Sequence, residues 1–129
     1  MQTLVQKMIF PSLRFALVLT CVFIFLILIG TLSPIPQKIE APGSDKWHHF
    51  IAFAALTYPL TASSKRLGLA IVLFGICLGA GIEIIQPYVN RFGDLNDFKA
   101  DVIGILLGYL LGRLAYRNNK YYLSTLASK

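Results

Sequence analysis

The residues best suited to chemistry in this chain lie between residues 83 and 101, in the stretch EIIQPYVNRFGDLNDFKAD. This stretch holds four of the six acidic residues of an otherwise mostly apolar chain. Carboxylates crowded into apolar surroundings have raised pKa values, so a pair of them can act as general acid and general base. Arg91 could hold a phosphate or carboxylate group through two parallel hydrogen bonds, or it could form a salt bridge with Asp94 or Asp97.

A second group of polar residues begins at Asp45. Asp45 and His49 are four residues apart, which puts them on one face of a helix, whereas His48 points to a different face. His49 could be a histidine that is hydrogen-bonded to a carboxylate, or it could be a working acid or base. Lys46 could extend towards a membrane surface, or it could neutralise one of the acids.

A metal site is an alternative that the residue types allow, because His49 with Glu83, Asp97 and Asp101 would supply nitrogen and oxygen ligands. The sequence has no diagnostic ligand spacing, however, and it lacks H-E-x-x-H, a nucleophile motif, a phosphate-binding glycine loop and a cofactor fingerprint. It therefore predicts neither a metal nor a cofactor. Those same four residues are the candidate catalytic groups. The candidate binding set is Asp45, Lys46, His49, Glu83, Gln86, Arg91, Asp97 and Asp101.

Composition points to an integral membrane protein. The 129 residues are 56% hydrophobic and only 14% charged, against about 25% charged in ordinary soluble domains. The net charge of +6 does not indicate nucleic-acid binding, because the basic residues lie at segment ends rather than in a run interleaved with aromatics. Cys21 and Cys77 each lie inside an apolar run, which favours buried, inert thiols over a disulfide.

The apolar segments predict one domain over residues 1–129, with transmembrane helices at about 10–32, 47–63, 67–86 and 97–116. A signal peptide is the alternative for the first segment. Its apolar run is longer than a signal peptide needs and no A-x-A-like cleavage site follows, so an uncleaved helix is favoured. Pro11 suits the first position of that helix, and Asp45 suits the N-cap of the second.

The charges predict an orientation with both termini in the cytoplasm. In that orientation eight of the twelve basic residues lie at inner ends and four at outer ends, as the positive-inside rule requires. All six acids then fall on the outer side. That rule does not require acids to segregate, so the asymmetry indicates a polar site on the outer face.

Glycines predict how the last two segments pack. Gly75 and Gly79 share one helical stripe with Glu83 and Gln86. The next segment repeats the pattern with Asp97, Asp101, Gly104, Gly108 and Gly112. Small residues at a spacing of four allow membrane helices to approach closely. We therefore expect these two helices to pack on their glycine faces, with the acids at the outer end of the contact.

These motifs, taken in order, resemble those of the VanZ-like family of small bacterial membrane proteins. The resemblance spans about residues 30–112 and rests on Ser33-x-Ile35-Pro36, Asp45-Lys46-x-x-His49-Phe50, Glu83-x-x-Gln86, Arg91, Asp97 and Gly104-x-x-x-Gly108. One position departs from the family pattern. Asp101 stands where the family usually has asparagine, which adds a charge.

The resemblance implies a multi-pass, all-α domain in the bacterial inner membrane, from a family named after a member that is linked to teicoplanin resistance. With the charge pattern, it favours a module that binds an envelope lipid or the head group of a wall precursor, without nucleic acid. Two alternatives stay open: a membrane hydrolase or transferase acting on a polyprenyl-linked phosphate, and a non-catalytic scaffold. Homo-oligomerisation would enlarge the pocket that so short a chain can form.

Overall fold

The structure, a computed structural model, describes the backbone of residues 4–33 and 44–127 and side chains within 6–33 and 46–120. This part of the chain is helical and contains no strand. Its helices are α1 (Leu4–Ile9), α2 (Leu13–Leu32), α3 (Ser44–Ser63), α4 (Lys65–Ile85) and α5 (Leu95–Ala127), with a 3-10 turn over Gln86–Val89.

Helix α2 begins three residues later than its apolar run predicts. Ser12 caps the helix by accepting a hydrogen bond from the Phe15 backbone N–H at 3.4 Å, so Pro11 precedes the cap and does not occupy the first helical position. The preceding residues form the separate short helix α1, which the sequence did not indicate. The Tyr58 hydroxyl donates to the Ile9 carbonyl at 2.8 Å and ties α1 to α3.

Helix α3 also differs from its predicted start, because it begins at Ser44 and takes Asp45 into its first turn instead of leaving it at the N-cap. The side chain of Asp45 lies outside the described residues. Pro59 is buried inside α3, which nevertheless continues to Ser63. Ser64 then caps α4 by accepting from the Leu67 N–H at 3.4 Å.

The connection from α4 to α5 is tightly structured. Helix α4 gives way to the 3-10 turn that contains Pro87, and Asn90 ends that turn in the left-handed conformation at φ 59°. Asp94 caps α5, since its Oδ1 accepts from the Asn96 N–H at 2.8 Å. Helix α5 therefore begins at Leu95, and it runs to Ala127 instead of ending near residue 116.

Helix α3 is the centre of the bundle and contacts α2, α4 and α5. Phe53 and Leu56 of α3 are fully buried with Ile27 of α2, Ile82 of α4 and Ile105 of α5. The antiparallel order brings the ends of α2 and α4 together with the starts of α3 and α5. We call this end of the bundle the acidic end, and the opposite end the basic end.

The glycines of α5 pack against α3 and not against α4, which corrects the expectation that two glycine faces meet. A Cβ at Gly104 would collide with the Phe50 carbonyl, and one at Gly108 with the Ala54 carbonyl. Gly75 and Gly79 of α4 do face α5, but they meet its larger side chains: Gly75 meets Ile105, and Gly79 meets Asp101. The backbones of α3 and α5 therefore approach closely, as small residues permit.

Two of the described helices are long and apolar enough to cross a membrane by length and composition: α2, and Lys65–Val89, which contains α4. Large apolar side chains also cover outward faces of the bundle, including Phe25, Leu73 and Leu106. Cys21 and Cys77 are free thiols on these exposed faces, so the prediction that they are buried was wrong.

Candidate functional site

A buried histidine–aspartate pair joins α3 to α5 at the acidic end. His49 Nδ1 lies 2.9 Å from Asp101 Oδ1, and the side chains are 3% and 0% exposed. An ionised carboxylate can only accept, so Nδ1 carries the proton and donates to Asp101. This arrangement fixes the plane of the ring and leaves Nε2 as the basic nitrogen.

Lys46 is the cation that contacts the acids next to this pair. Its Nζ lies 3.3 Å from Asp94 Oδ2 and 3.4 Å from Asp97 Oδ1. Asp97 is 95% buried, whereas Lys46 is about half exposed and reaches it from the rim of the site. Of the two roles that the sequence allowed for Lys46, neutralising the acids is the one that this geometry supports.

Glu83 connects α4 to the start of α5. Its Oε2 accepts a hydrogen bond from the Asp94 backbone N–H at 2.7 Å, while its Oε1 is buried and has no hydrogen-bond partner among the described residues. A ring nitrogen of His49 and carboxylate oxygens of Glu83 and Asp97 all lie within 4.8 Å of one another. Three helices therefore place three candidate catalytic residues at one point.

Asp94 shapes the rim of the site electrostatically. The Asn96 backbone N–H and the neighbouring Lys46 ammonium hold the pKa of the Asp94 carboxyl below its ordinary value. The sequence-derived site set omitted Asp94, although an aspartate directly before a helix is a recognisable N-cap signal. In the structure one residue caps α5, anchors Glu83 and pairs with Lys46.

Gln86 and Arg91 hold the end of α2 against the acidic end. Gln86 is buried, and its Nε2 donates to the Thr31 carbonyl at 3.3 Å. Arg91 Nη1 donates to the Gly30 carbonyl at 2.9 Å and to the Ser33 carbonyl at 3.4 Å. Arg91 thus binds neutral carbonyl groups, and the cation that contacts Asp94 and Asp97 is Lys46.

A groove of about 540 Å³ runs between α2 and α3 from the acidic end. Its walls are apolar and include Phe23, Leu26 and Ala55. Its polar end is formed by Arg91, His48 and His49. The volume falls within the range of about 300–1,000 Å³ that is typical of small-molecule sites. His49 therefore contacts two features at once, since it lines the groove and also belongs to the acidic cluster.

The structure thus brings together most of the side chains that the sequence singled out, but it divides them between two neighbouring places. Lys46, His49, Glu83, Asp97 and Asp101 form the acidic cluster, with Asp94 added to them. Arg91 lies instead at the mouth of the groove, and Gln86 supports α2.

A sequence model of the VanZ/LLP1 family matches residues 16–116, most of the chain. The chain belongs to the VanZ/LLP1 family. The match contains every described residue of the acidic cluster and of the groove, so both features lie within the VanZ/LLP1 part of the chain. Together with the two apolar helices, membership of this family indicates a membrane protein. No curated protein and no solved structure matched the chain.

Proposed function

We propose that this VanZ-like protein spans a bacterial inner membrane four times, with both termini in the cytoplasm. Helices α2 and α4 have the length and apolarity of membrane spans. Helix α3 is less apolar than α2 and α4, and these helices and α5 pack around it. Its buried Thr57 and Thr61 hydroxyls donate to the Phe53 and Thr57 carbonyls at 2.9 and 2.8 Å. Polar groups satisfied in this way are compatible with a membrane interior.

The charges at the two ends of the bundle support this orientation. The described acidic side chains cluster at the acidic end, whereas Lys65, Arg66 and Arg117 are exposed at the basic end. Basic residues are enriched on the cytoplasmic side of membrane proteins. The acidic end, with the groove mouth and the cluster, therefore faces outward in this proposal.

The function that this geometry supports best is binding of an envelope lipid that carries an anionic phosphate head group. The groove between α2 and α3 carries the proposal, since it has apolar walls and a polar end with Arg91. An acyl or isoprenoid chain fits the walls, and a phosphate is attracted to the guanidinium. The groove also opens between two helices of the bundle, where a lipid can enter from the bilayer.

The binding test uses the purified full chain in detergent micelles. The probes are a polyprenyl phosphate, phosphatidylglycerol and, as the uncharged comparison, phosphatidylcholine. Both anionic lipids are expected to bind one per chain and phosphatidylcholine to bind much more weakly. A preference for the polyprenyl phosphate over phosphatidylglycerol would point to a wall precursor, in which case changes at the groove should alter susceptibility to teicoplanin-type glycopeptides.

Matched variants locate the binding. Ala55→Leu fills the groove, while Ala70→Leu makes the same change on an exposed position of α4 outside it. Ala55→Leu should weaken binding of the anionic lipids and Ala70→Leu should leave it unchanged. Equal binding by both variants, or equal binding of charged and uncharged lipid, would refute the groove as the site.

The His49–Asp101 pair favours one alternative function, an enzyme acting on a polyprenyl-linked phosphate. A histidine oriented by a buried carboxylate is a suitable general base, because its other ring nitrogen can take a proton from an attacking water or hydroxyl. Incubation of purified protein with a labelled polyprenyl diphosphate separates the two functions. Release of labelled phosphate would indicate an enzyme, and retention of the unchanged lipid would indicate a binding module.

A further inference from the structure

Helices α3, α4 and α5 each place one potential metal ligand at the same point of the acidic cluster. The ligand atoms of His49, Glu83 and Asp97 lie within 4.8 Å of one another. Around a tetrahedral ion with bonds of about 2.1 Å, ligand atoms are roughly 3.4 Å apart. Binding an ion would therefore draw the two carboxylates closer to the histidine by rotation of their side chains. We propose that His49, Glu83 and Asp97 bind one divalent transition-metal ion.

Asp101 supports this proposal independently, because its carboxylate prepares His49 to be a ligand. Metal-binding histidines commonly donate their second ring N–H to a carboxylate, which fixes the tautomer and makes the other nitrogen a better ligand. The 2.9 Å contact between His49 Nδ1 and Asp101 Oδ1 has this form. Both side chains are almost fully buried, so water does not weaken the contact.

Two buried oxygens on the same face of α4 and its following turn give a second observation. Glu83 Oε1 and Gln86 Oε1 are both buried and have no hydrogen-bond partner among the described residues. Gln86 is 99% buried, and it follows Glu83 by three residues. Buried oxygens without a donor are costly unless something else satisfies them. A cation next to Glu83 would satisfy its Oε1.

The balance of charge also favours a cation. In the described part of the chain, the hydrogen bonds and ion pairs given above for Lys46, His49 and Glu83 join four carboxylates to one fixed positive charge, on Lys46. Excess negative charge in a poorly solvated cluster is unfavourable, and a divalent ion removes most of it. Lys46 is half exposed and is also held by Asp94, so it can leave Asp97 when the ion binds.

One imidazole and two carboxylates suit a borderline ion such as Zn²⁺ better than Mg²⁺ or Ca²⁺, which prefer oxygen ligands alone. The sequence predicted no metal because it lacks a local ligand spacing, and here the ligands come from three separate helices. The proposal does not depend on lipid binding, since the groove has its own test with Ala55→Leu in metal-free protein.

The test is a Zn²⁺ titration of the purified full chain after treatment with a chelator, read by competition with a chromophoric zinc indicator. We expect one Zn²⁺ per chain and weak competition from Mg²⁺. Glu83→Gln and Asp97→Asn should each weaken binding by about 100-fold or more, because each removes one of three ligands. Asp101→Asn should weaken it by about 10- to 100-fold, as is usual when the partner of a metal-binding histidine is changed.

Two controls separate a metal site from a loss of folding. Lys99→Gln changes an exposed residue of α5 outside the acidic cluster and should bind Zn²⁺ within a few-fold of the unchanged protein. Lys46→Gln removes the competing cation and should bind Zn²⁺ more tightly, a gain that misfolding cannot produce. The proposal is overturned if the unchanged chain binds no Zn²⁺, or if Glu83→Gln and Asp97→Asn bind it as well as the unchanged chain while keeping their helical circular dichroism.

Discussion

His49 Nδ1 and Asp101 Oδ1 lie 2.9 Å apart, and their contact fixes the position of α3 relative to α5 at the acidic end. The two helices also pack closely next to this pair, because Gly104 lies against the Phe50 carbonyl one turn deeper in the bundle. The pair thus lies at the acidic end of the close contact between the backbones of α3 and α5. It both orients the imidazole and holds together the helices that supply Asp97 and His49.

Removing the two partners of this pair should have unequal effects. His49→Leu removes the histidine donor from the buried Asp101 carboxylate and should lower the free energy of unfolding by about 3–5 kcal/mol. Asp101→Leu removes the acceptor of an imidazole N–H and should lower the free energy of unfolding by only about 1–3 kcal/mol. Unfolding in mixed detergent and dodecyl sulfate micelles, followed by circular dichroism, measures both values.

The double variant provides the control for that inequality. Because neither polar group is then left behind, His49→Leu with Asp101→Leu should be more stable than the sum of the two single effects predicts. Strictly additive effects would show that the two side chains do not interact in the folded protein.

The glycines of α5 allow a second prediction with a matched control. Gly108→Ala should lower the free energy of unfolding by about 1–3 kcal/mol, because its new methyl group meets the Ala54 carbonyl. Gly81→Ala makes the same change in α4, where nothing lies within 4 Å of the added Cβ. It should change stability by less than about 1 kcal/mol and can stabilise the helix. Equal losses in both variants would contradict the close α3–α5 contact.

The glycine pattern shows where sequence reasoning succeeds and where it stops. A spacing of four residues correctly indicates a face built for close approach, because that periodicity is a property of one helix. It does not identify the partner helix, and the expectation that the glycines of α4 and α5 meet failed for this reason. Gly104, Gly108 and Gly112 contact α3, since the order of helices around the bundle depends on packing over the whole chain.

The acidic cluster gives the same lesson for charged residues. Sequence periodicity and residue type selected Lys46, His49, Glu83 and Asp97, which the structure brings together. They did not reveal that Asp94 caps α5, binds Glu83 through its backbone N–H and pairs with Lys46. These contacts depend on the geometry of the turn before α5. Nor did they predict that the residues before α2 form the separate helix α1, because the start of α2 is set locally by the Ser12 cap.

Asp94 should make the start of α5 sensitive to acid. Its pKa in the folded chain lies below the unfolded value of about 3.9, chiefly because the Asn96 N–H donates to it. Its contribution to stability is therefore fully present above that unfolded value and is lost as the pH falls towards the lower folded pKa. Asn can cap a helix without titrating, so Asp94→Asn should reduce the acid sensitivity. Dodecyl sulfate unfolding between about pH 6 and pH 3 measures the difference, and identical pH profiles would contradict the role of Asp94.

The orientation of the bundle can be tested by cysteine labelling in intact bacterial cells. The background has Cys21 and Cys77 replaced by alanine. In it, Tyr88→Cys lies on an exposed position of the turn after α4, and Arg117→Cys lies on an exposed position of α5 beyond its proposed membrane span. A membrane-impermeant maleimide should label Tyr88→Cys in intact cells and should label Arg117→Cys only after the membrane is permeabilised. The reversed pattern would place the acidic cluster in the cytoplasm, where it could not meet the outward-facing head groups of wall precursors. Labelling of both positions in intact cells would instead mean that α5 does not cross the membrane, in which case the four-span arrangement fails although the packing of α5 on α3 stands.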